Sequence, residues 1–245
     1  MLSQIIYSDA NVQWVVFGRD TSKPDYVIDT NEYLIISGSK GMLLDPGGTE
    51  IFPEVVTAVS DYLPVENIEV IFGSHQDPDI ISSLALWLGI CPQAKVYVPW
   101  LWTGFITHFG CDKSQLVGVP DEGRIVELAG HKVELIPAHY LHSSGNLHVY
   151  DPISKILFTG DVGAALLPDD VNHLFVENFE QHIQYMEMFH RRWMPSNRAR
   201  DVWVERVRKM DITMLCPQHG GIFRGENVKK FIDWFATLDL GSATT

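Results

Sequence analysis

The 245-residue chain is poor in cysteine and in positive charge, and it has no long apolar run. Its three cysteines, Cys91, Cys111 and Cys216, are widely spaced and include no CxxC pair. That excludes a disulfide framework and a rubredoxin-type centre, and it fits a reducing, cytoplasmic setting. Only 18 Lys and Arg stand against 31 Asp and Glu, for a formal net charge of −13. Nucleic-acid binding and attachment to an anionic membrane both need clustered cations, so neither is expected. No segment is apolar enough to span a bilayer, and the opening MLSQIIYSDA lacks the basic and apolar regions of a signal peptide.

What the chain does have is a large apolar fraction, 46%, enough to bury a sizeable core. Short strand-like runs and helical periods alternate along it. The strand expectations are residues 14–18, 33–38, 41–45, 68–74, 94–100, 124–128, 132–138, 146–151, 155–161 and 212–221. Helices are expected over 51–62, 81–89, 179–193, 199–209 and 228–238. No repeat, low-complexity linker or break in composition divides the chain, so residues 1–245 are read as one domain.

Several strands run directly into residues able to do chemistry. GSHQDPDI (73–80) places His75, Asp77 and Asp79 on alternate positions. KVELIPAHYLH ends near His139 and His142, KILFTGD on Asp161, and ITMLCPQHGG near His219. Strand ends on one rim of a layered α/β fold are where sites are assembled. Taken alone, the first stretch fits a solvated turn, a carboxylate pair for acid–base work, or one edge of a metal site. Taken together, His75, Asp77, Asp79, His142, Asp161 and His219 supply enough imidazoles and carboxylates for two metal ions, with one carboxylate bridging. If the backbone stays extended, His75, Asp77 and Asp79 face one pocket, because i and i+2 share a side. Two acids at close range then need a cation to neutralise them.

The ordered set GSHQDPD, LHSSGN, LFTGD and CPQHG resembles the ligand motifs of the metallo-β-lactamase superfamily. It is most similar to the branch that includes flavodiiron proteins and oxygen-binding di-iron proteins. TNEYLIISGSKGMLLDPGG (30–48) and residues 191–225 extend the resemblance over nearly the whole chain. The resemblance implies a four-layer αββα sandwich with the site on one rim. It implies that His75, Asp77 and His142 hold one iron, Asp79 and His219 the other, and that Asp161 bridges them. The bound group would be two irons cycling between ferrous and ferric forms, with an oxo, hydroxo or peroxo species between them.

Two departures from the hydrolytic HxHxDH loop matter. Asp77 stands in place of the second histidine, and Ile80 in place of the last. More carboxylate and less imidazole makes a harder donor set that suits iron, or manganese, better than zinc. The resemblance also implies a flavodoxin-like domain in the reductases of this branch, and no FMN is expected in this chain. The function expected is therefore dioxygen binding, as a sensor in signalling, with a signalling protein or a separate electron donor as partner. A homodimer is expected by analogy. An oxygen or nitric oxide reductase, a dinuclear zinc hydrolase and a metal-bearing protein scaffold are the rivals. Asp45 and His139 are expected to support the ligands. His148, His173, His182 and His190 are read as structural. Trp100, Trp102, Phe105 and Phe109 could roof the pocket, fill the core or meet a second copy. On this reading Asp77→His combined with Ile80→His should shift the purified metal from iron toward zinc. Elemental analysis of the variant checks it, and unchanged iron content would count against the ligand assignment.

Overall fold

The computed structural model describes residues 1–18, 27–171 and 173–242. Among the described residues, thirteen strands form two sheets. The first runs β1 (Leu2–Ser8), β2 (Val12–Gly18), β3 (Glu32–Ser37), β4 (Lys40–Leu44), β5 (Ile68–Phe72), β6 (Lys95–Pro99) and β7 (Leu116–Val119), in chain order. Its β4 to β7 are parallel, joined through α1 (Phe52–Ser60), α2 (Pro78–Ile81), α3 (Leu84–Ile90) and α4 (Thr103–Ile106). The second sheet orders β8 (Arg124–Leu128), β9 (His131–Pro137), β10 (Leu147–Asp151), β11 (Ile156–Gly160), β12 (Met214–Pro217) and β13 (Phe223–Arg224) side by side. Three long helices follow it or close it: α5 (Phe179–Trp193), α6 (Asn197–Val207) and α7 (Glu226–Thr237).

The period-2 alternation of the strands sorts their side chains into separate layers. Trp14, Val16, Tyr33, Ile35, Met42 and Phe72 face inward and meet Leu135, Val149, Phe158 and Cys216 of the second sheet. Their neighbours Val15, Phe17, Leu34, Leu43 and Ile71 face outward and pack on Val55, Ile81, Leu84 and Trp87 of the first helical layer. On the other side Leu157, Leu215 and Phe223 lie under Met186, Trp203, Phe231 and Phe235. The result is helix, sheet, sheet, helix, as expected. Phe158 ties the sheets together, edge-on to Tyr33 at 5.3 Å and to Phe72 at 6.3 Å between ring centroids.

Three local expectations are corrected. The helix expected over 81–89 divides into α2 and α3, because the Ser83 N–H leaves the helical ladder to bond the Gly47 carbonyl at 3.2 Å, and its hydroxyl bonds the Pro46 and Gly47 carbonyls as well. The chain is not extended through Asp79: Asp77 is the extended residue before α2, and Asp79 sits in that helix's first turn. Strands β1 and β7 lie at the two edges of their sheet and were not anticipated. Both are largely exposed or half-buried, so burial leaves little alternation to read.

Several histidines are buried as neutral rings. His190 shows why: Gly163 N–H donates to its Nε2 at 2.9 Å, and its Nδ1 faces the Met186 carbonyl at 2.7 Å. The carbonyl can only accept, so Nδ1 carries the proton and Nε2 has none. Burial pushes His190 and His182 down to about 4, and burial with the Arg206 charge pushes His148 down to about 3. The unfolded chain therefore takes up protons below its ordinary histidine value that the folded chain refuses. Stability should fall as pH drops from about 6.5 toward about 4, by up to about 1.4 kcal/mol per pH unit for each such ring. His190→Gln is expected to be less stable than wild type at pH 7. Between pH 7 and 5 it should lose roughly 2 kcal/mol less than wild type, read from urea unfolding. Parallel pH curves would show that His190 is not held neutral.

Candidate metal centre

The six expected residues converge on one rim, at the C-terminal ends of the parallel strands and in the β9–β10 loop. His75, Asp77 and Asp79 follow β5, His142 lies between β9 and β10, Asp161 follows β11, and His219 follows β12. Two glycines make the approach possible. Gly160 turns at φ +51°, and a Cβ there would stand 3.1 Å from Ser74 Oγ. Gly220 turns at φ +81°, and a Cβ there would stand 2.7 Å from the Ala165 Cβ.

Asp161 sits at the centre. Its Oδ2 lies 3.4 Å from His75 Nε2 and 2.7 Å from His142 Nε2. Its Oδ1 lies 3.4 Å from His219 Nε2. Asp77 Oδ2 faces the first group, 3.6 Å from His75 Nε2 and 3.3 Å from His142 Nε2. Asp79 Oδ2 faces the second, 3.4 Å from His219 Nε2. His75, Asp77 and His142 each bring one donor atom within 4.8 Å of the others. One carboxylate thus presents its two oxygens to two separate groups of donors.

The surroundings aim the ring nitrogens. Ser74 donates its hydroxyl proton to Asp45 Oδ2 at 2.6 Å, so the 2.9 Å contact between Ser74 Oγ and His75 Nδ1 must carry the histidine's proton. That leaves the lone pair on His75 Nε2. His219 Nδ1 faces the Asp29 carbonyl at 2.9 Å and must donate to it, which leaves the lone pair on Nε2 there too. Asp45, expected to support the ligands, does so through Ser74. Burial pushes its carboxyl up to about 7, against the pull of the His75 charge and the Ser74 bonds.

The fit to cations is visible in the atoms left over. Among the described residues, the buried His75 Nε2 and Asp161 Oδ1 have no hydrogen-bond partner. Most of the separations are those of two ligands about 2.1 Å from a shared ion, which stand roughly 3.0–3.4 Å apart. Burial opposes ionisation of Asp161 and Asp77, yet the facing imidazoles hold both carboxyls well below the usual range. His142, against the opposing effect of burial, is pushed up to about 9 by Asp161 and Asp77. Protons and cations compete for the same imidazoles.

A cleft of about 430 Å³ opens on the cluster. Asp77, Asp79, His142, Asp161 and His219 line its floor, and Ile28, Leu166, Phe189 and Trp193 line its apolar side. Phe189 and Trp193 stack at 5.9 Å, and the His142 ring meets Trp193 edge-on at 5.6 Å. The roof is therefore α5, which the sequence reading missed; an aromatic pair at i and i+4 beside the buried stripe of α5 was the available signal. The Trp100–Phe109 cluster takes another place. Trp102 and Phe109 pack on the first helical layer, while Trp100 and Phe105 are exposed. His139 accepts from Asn146 N–H through Nδ1 at 3.2 Å and so braces the loop that carries His142. His182 faces Phe223 of β13 and His190 faces Phe235 of α7. Ile80 is fully buried in the first layer. A histidine there would be buried among apolar side chains, so the Ile80→His half of the double change is expected to cost stability and to add no ligand.

The family described as ODP family beta lactamase matches over residues 28–220. The chain belongs to that family. A solved structure described as the apo state of chemotaxis sensor ODP from T. denticola is 42% identical, with a TM-score of 0.89, covering 98% of this chain and 96% of that one. Another, described as the peroxy diiron species of chemotaxis sensor ODP, is 41% identical, with a TM-score of 0.89, covering 99% of this chain and 97% of that one. A flavo di-iron protein from Thermotoga maritima shares the fold, with 19% identity and a TM-score of 0.82 over 96% of this chain and 60% of that one. An uncharacterised protein of Methanocaldococcus jannaschii is 22% identical over 94% of this chain, and the chain spans 58% of its length. Among the described residues of this ODP-family chain, no helix is long and apolar enough to cross a membrane.

Among the described residues, Asp161 touches both groups of donors. Asp161→Asn is expected to weaken cobalt(II) binding at least tenfold and to lower the number of ions held per chain, by titration and elemental analysis. Glu50→Gln, elsewhere on the cleft wall, should leave both unchanged. Equal loss in the two variants would remove Asp161 from its central place.

Proposed function

We propose that the chain holds two iron ions and binds dioxygen, and that it works as an oxygen sensor in signalling. The observation that carries this reading is Asp161, with Oδ2 toward His75 and His142 and Oδ1 toward His219. His75, Asp77 and His142 would hold one ion, Asp79 and His219 the other, with Asp161 between them. The carboxylate-rich donor set supports iron over zinc. When bound, the irons supply the electrons and the open coordination positions that dioxygen needs.

The chain's own residues prepare that chemistry. Ser74 and the Asp29 carbonyl keep His75 and His219 turned with Nε2 toward the centre. Phe189 and Trp193 shield the donors from bulk water while the cleft stays wide enough for a diatomic gas. Ile80 is turned into the core and offers the Asp79–His219 side no donor. Similarity to a protein described as a chemotaxis sensor, over nearly the full length of both chains, supports sensing over turnover. The partner would then be a signalling protein. The flavo di-iron fold supports one rival, an oxygen or nitric oxide reductase fed by a separate electron donor. Three free, buried cysteines support a cytoplasmic location, and an apolar centre shared by both sheets supports one domain over residues 1–245.

The test is anaerobic loading with ferrous iron, metal quantification, and admission of air with the visible spectrum followed. About two irons per chain and a lasting new charge-transfer band are expected. Zinc retained in preference to iron, with no band, would favour a hydrolase. Sustained oxygen or nitric oxide consumption with a supplied reductase would favour the reductase.

A further inference from the structure

Asp77 is the shorter of the two choices of carboxylate for its position, and it does not cap the helix it precedes. It stands before α2 with extended backbone, φ −69° and ψ 148°, and makes no side-chain cap bond. Its carboxylate is held from the other side. Gln76 Nε2 donates to Asp77 Oδ1 at 2.7 Å, which leaves Oδ2 facing His75 and His142. Ser143 Oγ donates to Gln76 Oε1 at 2.7 Å. Trp102 Nε1 donates to Ser143 Oγ at 3.0 Å and to the Gly145 carbonyl at 2.7 Å.

This chain of bonds has only one consistent direction. An indole nitrogen can only donate, and an ionised carboxylate can only accept. Ser143 therefore accepts from Trp102 and gives its own proton onward. The Gln76 amide cannot turn over without setting oxygen against oxygen at Asp77. Ser143 has a second acceptor within reach, the Gly145 carbonyl, but at 3.2 Å that contact is longer than the 2.7 Å to Gln76 Oε1. The close approach is built into the backbone: a Cβ at Gly145 would stand 2.9 Å from Trp102 Nε1. Ser143 also directly follows His142, so the same bonds fix two donors of one group.

We propose that Gln76, Ser143 and Trp102 are positioning residues that commit Asp77 to binding metal through one oxygen only. The proposal rests on the di-metal reading of the site. With Oδ1 held by Gln76, Asp77 presents Oδ2 to His75 and His142, so it would bind an ion there through Oδ2 in preference to chelating it and would leave a coordination position open. Groups of this kind typically change metal affinity 10–100-fold when removed.

The probe is cobalt(II), whose visible bands report coordination and which needs neither iron nor oxygen. Gln76→Leu is expected to weaken cobalt binding 10- to 100-fold and to shift its visible bands. Ser143→Ala and Trp102→Phe should move affinity and bands in the same direction by less, and Ser143→Thr should restore the wild-type spectrum. Combining Gln76→Leu with Ser143→Ala should be no worse than Gln76→Leu alone, because one effect passes through the other. Circular dichroism of the unloaded proteins checks folding. If Gln76→Leu fails to fold, Ser143→Ala and Trp102→Phe carry the test alone. Affinities within twofold of wild type, with unchanged bands, would overturn the proposal while leaving the metal site standing. A wild-type protein that takes up no cobalt would overturn the metal site and the proposal with it.

Discussion

A carboxylate cannot be buried without compensation, and Asp161 is only 3% exposed. It is surrounded by His75, His142 and His219, and Asp77 and Asp79 flank the imidazoles in turn. Each charge makes sense only because an opposite one, or a cation, stands next to it. The supporting bonds follow from the same need. Asp45 takes the Ser74 proton so that His75 turns its lone pair inward, and the Asp29 carbonyl does the same for His219.

The two sheets bring these groups together because their parallel strands end on one rim. β4, β5 and β6 run parallel in one sheet and β11 and β12 in the other. A parallel strand must return by a crossover, so the residues after β5, β11 and β12 emerge together. Phe158, Tyr33 and Phe72 lock the sheets face to face beneath that rim. Tyr33 reaches further, donating its hydroxyl to the Pro217 carbonyl just before the His219 loop. Core packing and site geometry are therefore coupled through Tyr33.

The character of the site comes from small differences within a shared frame. A carboxylate in place of an imidazole at Asp77 changes which metals bind well. The side chain at position 80 is turned away from the cluster, so Ile80 strengthens the first helical layer and brings no donor to the site. Helix α5 serves two masters: Met186 and His190 face the core, while Phe189 and Trp193 lean over the cleft.

By itself the sequence determined the layers and picked out the candidate donors. The near-continuous apolar runs in WVVFG and KILFTGD are a consequence of burying both faces of a strand, and the bounds of α5 follow from its 3.6-residue period. His75, Asp77, Asp79, His142, Asp161 and His219 were legible because each directly follows a strand or lies in the loop between two. Edge strands β1 and β7 were not, since ladder bonds hold them and burial does not. Nor was the direction of Asp79, which reaches the site from the first turn of α2 and not from an extended strand. Only the tertiary structure decided that α5 would form the roof, that Trp102 would stand behind Ser143, and that Asp161 would divide its oxygens between two groups. Those relations join residues far apart in the chain, and local periodicity carries no information about which distant surfaces will meet.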